Sequence, residues 1–325
     1  MYAFTARALW AFALVFGAWH SASAQESNYP NRPIRVVVGF AAGGGNDIFA
    51  RVVGQKMSEI IGQTVIIENK PGAGARLAAD YVAREPADGY TLLVSASGGM
   101  SIAAAVYPKL NYHPTRSFVP ITMIANFPLI LAVPATSAIK SVKELVDYAK
   151  ANPAKANFPS TSPAFTITSE LLKLKTGMPG VMIPYKSSNE MMLSIAAEQT
   201  LYAFADGPPT MPLVHGGRIR AIGVTGDKRA PELPDVPSMA ESGFPDVDVH
   251  LWSGFFAPAA TPPAIVKKLE DALRAAIKDP GVQDKLKAMA VTPGGTSSEE
   301  FRAMIDADIK KFVEVAKAAN LKFDD

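Results

Sequence analysis

Cysteine is absent from all 325 residues. That excludes disulfides, a thiolate nucleophile and any cysteine-based metal site. Histidine is nearly as scarce: beyond the N-terminal segment only His113, His215 and His250 occur, far apart and without HxxxH or HxH spacing. No metal site follows. A Gly-x-Ser-x-Gly elbow is missing, and no acid pair is locally spaced for hydrolysis. An excess of charge of one sign is missing as well. The 32 basic and 30 acidic residues are scattered rather than striped, which argues against a nucleic-acid surface. After residue 24 no segment approaches the ~20 consecutive apolar residues of a membrane span, so a soluble chain is expected. Internal repeats and low-complexity segments are lacking too.

What is present begins at the N-terminus. Arg7 precedes an apolar run, Ala8–Trp19, and Ala22 and Ala24 form a small-x-small pattern. This predicts a signal peptide over 1–24, cleaved after Ala24, and export to the periplasm. Losing Arg7 leaves a net charge near +1. A cysteine-free exported chain suits a bacterial periplasm. The remaining length, about 300 residues, is enough for two domains, each with its own core.

Along the chain, strand and helix signals alternate, the mark of an α/β architecture with a parallel sheet. Strands are predicted at Ile34–Phe40, Thr64–Glu68 and Tyr90–Ser95, with helices at Asp47–Ile61 and Ala75–Arg84 between them. Val119–Pro134 is apolar without helical spacing and reads as a strand pair crossing between domains. A second αβ series follows: helix Ser141–Ala151 with capping-box spacing, strand Ala156–Phe158, helix Thr166–Thr176, strand Val181–Tyr185, helix Asn189–Ala197, and strands Leu201–Ala205 and Ile219–Val224. Asp248–Ala257 reads as the return crossing, and three helices fill the tail. The expected division is 25–125 plus 248–325 for domain 1 and 126–247 for domain 2. Two lobes joined by two strands make a cleft that closes about a hinge.

Ile34–Asp47, IRVVVGFAAGGGND, carries the clearest chemistry. A β-branched strand breaks into a loop of Ala and Gly and then into a helix. Phe40, Ala41, Gly43 and Gly44 would leave backbone N–H groups open to a small anion at the positive helix end. The same composition also suits a plain strand-to-helix turn. Asp47 reads as an N-cap or first-turn acid, or as a group fixing bound water or the distal end of a ligand. Ser95 and Ser97, at the carboxyl end of the third strand, are candidate ligand hydroxyls.

These residues, taken with Tyr29-Pro30…Arg32-Pro33-Ile34, Glu68-Asn69-Lys70-Pro71-Gly72-Ala73-Gly74, Pro86…Asp88-Gly89-Tyr90-Thr91, Ser141-Val142-Lys143-Glu144-Leu145, Pro184-Tyr185-Lys186, Lys228-Arg229…Leu233-Pro234-Asp235-Val236-Pro237 and Trp252-Ser253-Gly254, carry a resemblance. The chain resembles the Bug family, periplasmic receptors of tripartite tricarboxylate transporters. The resemblance implies a type II periplasmic-binding fold that closes on a small carboxylate held between two loops, with no cofactor. It also implies membrane permease subunits as partners, and a monomer is expected. The second loop usually reads Ser-Ser-Gly-x-Gly-Ser-x-x-His; here it reads STSPAFT from Ser160, with Pro163 and Phe165 in place of glycines and Thr166 where His would stand. The Gly that usually follows Tyr-Lys is Ser187.

Ser160, Thr161, Ser162 and Thr166 keep the hydroxyl donors of that loop, and they equally suit a helix cap. Lys186 ends a strand beside the expected cleft, as a ligand contact or a solvated lysine. Asp206 can accept from a ligand hydroxyl or ammonium, or cap a turn. Phe165 can wall a flat ligand or pack in the core. As a ligand wall it favours an apolar or aromatic carboxylate, phthalate- or benzoate-like, over a citrate-like acid. A solute-sensing module would use the same pocket. A dinucleotide oxidoreductase is the remote rival: Gly39–Gly44 partly mimics GxGxxG and Glu68 ends the second strand, but the middle Gly is Ala41 and the chain is exported.

Overall fold

A computed structural model describes residues 28–318; the signal segment 1–24 lies outside the described residues. The first half runs β1 (Ile34–Val38), α1 (Gly45–Ile61), β2 (Val65–Asn69), α2 (Arg76–Val82), β3 (Thr91–Ala96), α3 (Ser101–Val106), β4 (Phe118–Pro128), β5 (Ile130–Pro134) and α4 (Val142–Ala151). Then come β6 (Asn157–Ser160), α5 (Pro163–Thr176), β7 (Val181–Pro184), α6 (Ser188–Ala196), β8 (Ala203–Ala205), α7 (Gly207–His215) and β9 (Ile219–Val224). The tail holds β10 (His250–Pro258), α8 (Pro263–Lys278), α9 (Pro280–Lys287), β11 (Thr292–Pro293) and α10 (Ser298–Ala318).

The larger sheet has the order β11-β4-β10-β3-β1-β2. β1 is parallel to both β2 and β3. Helices cover it on both faces, with Val36 and Val38 in the core on one side and Val37 in the core on the other, which is why the valines run unbroken instead of alternating with polar residues. α1 packs on this sheet through Phe49, Ala50, Val53 and Met57, a stripe of helical period. α10 covers the other face, where Phe301 and Ile305 join Val37, Leu93 and Phe256. Trp252 belongs to this packing: its ring meets Phe301 edge-on at 5.0 Å, and its Nε1–H donates to Asp308 at 2.6 Å.

The other strands form two smaller sheets, β8-β5-β9 and the parallel pair β6-β7. The large sheet thus draws on residues 34–128 and 250–293, and the small ones on 130–224. The chain passes between lobes at Leu129 and again before β10. Thr225 joins the two passages: its Oγ1 accepts from the Leu129 N–H at 2.8 Å and donates to the Val249 carbonyl at 2.6 Å.

Val119–Pro134 is two strands in different sheets, divided at Leu129, in keeping with a strand pair. Other expectations shift. α5 starts at Pro163, three residues before the expected Thr166, because proline suits a first helical turn. α1 starts at Gly45 rather than Asp47. Residues 207–215 form a helix that their three prolines hid from a periodicity reading. Among the described residues, no helix is long and apolar enough to cross a membrane.

Candidate ligand-binding cleft

Four helices aim their N-termini at one buried cavity between the lobes. α1 brings Gly45 and Asn46, α5 brings Ser162, Ala164 and Phe165, α6 brings Ser188, and α7 brings Asp206 at its N-cap. Each helix end carries roughly half a positive charge and unsatisfied N–H groups. Phe40, Phe127 and Leu251 complete an apolar wall beside Phe165. The free space is about 20 Å³, room for roughly one water molecule, so the lobes stand closed. Larger surface clefts, about 550 Å³ beside Tyr148 and about 600 Å³ behind the crossings, lack this convergence of helix ends.

Closure is close enough to require glycine. A β-carbon on Gly45 would overlap the Asp206 carboxylate, and one on Gly98 would stand 3.1 Å from Ser162 Oγ and 3.2 Å from Ala164 Cβ. Across the same seam the Gly45 N–H donates to Ser188 Oγ at 3.3 Å.

The first loop lies at this seam, with its amides engaged within the protein. The Gly43 N–H donates to Asp47 Oδ2 at 2.9 Å and the Gly44 N–H to the Ala41 carbonyl at 3.3 Å. Phe40 lines the cavity, whereas Ala41 and Gly43 are outside its lining and partly exposed. Asp47 turns to the loop: besides Gly43, it accepts from Arg51 at 3.0 Å and from Asn69 at 2.9 Å. Burial pulls the Asp47 carboxyl up, but the bonds from Arg51, Gly43 and Asn69 outweigh it and hold the group below the usual carboxylate range.

The second loop divides. Ser160 and Thr166 bond to each other at 2.8 Å, and Ser160 also donates to the Ser162 carbonyl at 2.9 Å. Thr161 and Ser162 line the cavity, and Thr161 Oγ1 is buried without a partner among the described residues. Phe165 lies in the first turn of α5, 7% exposed, serving core and cavity wall at once. Ser95 and Ser97 are buried on either side of the lining residue Ala96 and do not themselves line the cavity. Ser95 Oγ has no hydrogen-bond partner among the described residues, and Ser97 Oγ accepts from the Trp252 N–H at 3.5 Å. The Lys186 side chain is exposed; its backbone N–H serves the cap of α6 through Glu190 at 3.1 Å.

Asp206 does not cap its helix. An N-cap side chain accepts from the second or third helical N–H, and those residues are Pro208 and Pro209, which have none. Its carboxyl is 3% exposed. Burial pushes it up to about 6, against the lowering effect of the Ser188 hydroxyl and its own backbone N–H.

Asn46, Ala96, Gly98, Phe127, Ala164, Ser188 and Leu251 were not marked by sequence reasoning, and Gly45 was marked only as part of the glycine run. Ser188 had a signal, following the Ser187 that departs from the Bug pattern. Phe127 and Leu251 had none, because a cavity wall and a core strand share one composition. The oxidoreductase rival weakens: Glu68, placed for a ribose, is paired with Arg35 at 3.2 Å and Lys70 at 2.8 Å.

Residues 49–321 match the family described as Tripartite tricarboxylate transporter family receptor. The chain belongs to that family. The receptor is similar to the periplasmic binding protein BugD, with TM-score 0.87 and 32% identity over 90% of this chain and 99% of that one. An R. palustris protein solved with adipate gives TM-score 0.86 and 32% identity over 90% and 99%. MatC from Rhodopseudomonas palustris, solved with bound malate, gives 0.85 and 28% over 88% and 99%. The expected Bug resemblance and two-lobe binding-protein fold both hold for this receptor.

Proposed function

We propose that the receptor captures a small carboxylate in the periplasm and delivers it to a membrane permease, without catalysis. The proposed lobes are 25–125 plus 248–325 and 126–247, turning about Leu129 and Thr225. One observation carries the reading: four helix N-termini meet in a buried cavity beside an apolar wall. With the lobes parted beyond the closed spacing, which leaves only about 20 Å³, a carboxylate would sit at the helix ends, as anions do, with its body against Phe40, Phe127, Phe165 and Leu251. The adipate and malate bound by related structures support that ligand class. The aromatic side chains support a ligand with an apolar body, a benzoate- or phthalate-like acid included. Micromolar affinity needs about 8 kcal/mol, within reach of several charge-assisted hydrogen bonds and apolar burial.

The test is a panel of carboxylates screened by thermal shift on the mature protein. An acid at ~100-fold its Kd should add ~2.7 kcal/mol of stability. A shift with NAD and with no carboxylate overturns the reading.

A further inference from the structure

Asp206 is a buried carboxyl beside which the described residues place a hydroxyl, from Ser188, but no cation. Its helix denies it a cap bond, since Pro208 and Pro209 have no N–H. Its Oδ1 has no hydrogen-bond partner among the described residues. The elements packed against it present uncharged groups: Gly45 and Asn46 from α1, Ser188 from α6. None of the described residues lining the cavity is basic, and Asp206 is the one acid. Thr161 Oγ1, also unpartnered among the described residues, lines the same space.

A carboxylate ligand arriving at the helix ends would place a second anion beside the first, in a dry site where charges interact strongly. The ligand must bring the missing donor with it. We infer that Asp206 selects the ligand class: the receptor takes carboxylates that carry an ammonium or hydroxyl group close to the carboxylate, and Asp206 Oδ1 accepts the hydrogen bond from that group. The ammonium is preferred, because it neutralises the carboxylate as well as donating. This inference rests on the carboxylate reading and narrows it. An aromatic or aliphatic body is compatible with it, since the apolar wall meets the far end of the ligand.

Two matched series test it: succinate, malate and aspartate, and phenylacetate, mandelate and phenylglycine. Within each, one skeleton carries hydrogen, hydroxyl or ammonium beside the carboxylate. Binding to the mature protein and to Asp206→Asn is measured by calorimetry at about pH 8, above the titration of a carboxyl held at about 6. In at least one series the wild type is expected to bind the amino acid tightest and the bare acid weakest, about tenfold or more apart. Asp206→Asn is expected to shrink that spread to about threefold or less, chiefly by weakening the amino member. A bare acid that binds the wild type as tightly as its amino counterpart overturns the inference and leaves the carboxylate reading standing. So does a spread that survives in Asp206→Asn. If no member of either series binds while NAD does, the carboxylate reading falls and this inference with it. Should Asp206→Asn not fold, the wild-type ranking alone decides.

Discussion

The carboxylate of Asp206 lies so close to Gly45 that a β-carbon on Gly45 would overlap it. At this contact the closed seam leaves no room for a further methyl group. Gly45→Ala keeps α1, since alanine is a better helix former than glycine and the position lies at the first helical turn. Closure, however, is blocked by a methyl group. The variant is expected to melt at or near the wild-type temperature and to bind any ligand at least about tenfold more weakly, roughly 1.4 kcal/mol. Small-angle scattering with saturating ligand should show the wild type compacting and the variant remaining open. Normal affinity in Gly45→Ala would mean that this seam does not form in the bound state.

Thr225 is expected to matter for stability out of proportion to its size. Its hydroxyl is buried and joins Leu129 of one crossing to Val249 of the other. Thr225→Val conserves shape but leaves a buried N–H and a buried carbonyl without these bonds, at about 1–3 kcal/mol for each. A loss of roughly 2–4 kcal/mol in denaturant unfolding is expected, with Thr225→Ser losing much less. Equal losses for Val and Ser would place the cost in packing and not in the hydrogen bonds.

Closure of the ligand-free receptor should depend on pH. In an open cleft Asp206 is solvated and titrates near ~3.9; closed, it is held up to about 6 by burial. Between these values the closed form keeps a proton that the open form has lost. Closure is therefore most favoured below about pH 4, weakens as pH rises to about 6, and is flat above. The span, about two pH units, corresponds to about 3 kcal/mol. Global stability carries the same sign, since the unfolded chain also exposes Asp206. Scattering on the ligand-free protein should show expansion between pH 4.5 and 7.5, and Asp206→Asn should stay compact throughout. Expansion on acidification would contradict this linkage.

Much of this arrangement could be read along the chain wherever its cause is local. The β1 run of valines announces a strand covered on both faces, and the glycines after it announce a turn into a helix. The cap failure at Asp206 is also local: Asp-Gly-Pro-Pro places two residues without N–H where a capping carboxylate needs donors. The rest depends on three-dimensional partners. Ser160 and Thr166 look like two ligand hydroxyls in sequence, yet a helix starting at Pro163 turns them toward each other. The Lys186 side chain looked placed for an anion, but the residue serves the α6 cap through its backbone. Phe127 and Leu251 are indistinguishable from core until both crossings are seen to flank one cavity.

Phe165 combines two roles that a single substitution can separate. Its ring is 7% exposed, packed into the core and forming part of the cavity wall. Phe165→Ala would remove about 3–5 kcal/mol of packing and confuse stability with recognition. Phe165→Leu keeps most of the volume, at a cost below about 1.5 kcal/mol, and removes only the flat face. If that face contacts the ligand, acids with a phenyl body should bind about 2–10-fold more weakly to the leucine variant, the equivalent of 0.5–1.5 kcal/mol for an aromatic contact. Aliphatic acids should be unaffected within about twofold, because leucine offers them the same apolar burial. The measurement is calorimetry on both proteins with phenylacetate, benzoate, mandelate, succinate and citrate. Equal losses across aromatic and aliphatic acids would assign Phe165 to the core alone. Citrate binding more tightly to the wild type than mandelate, which carries a hydroxyl beside its carboxylate as citrate does, would remove the aromatic preference altogether.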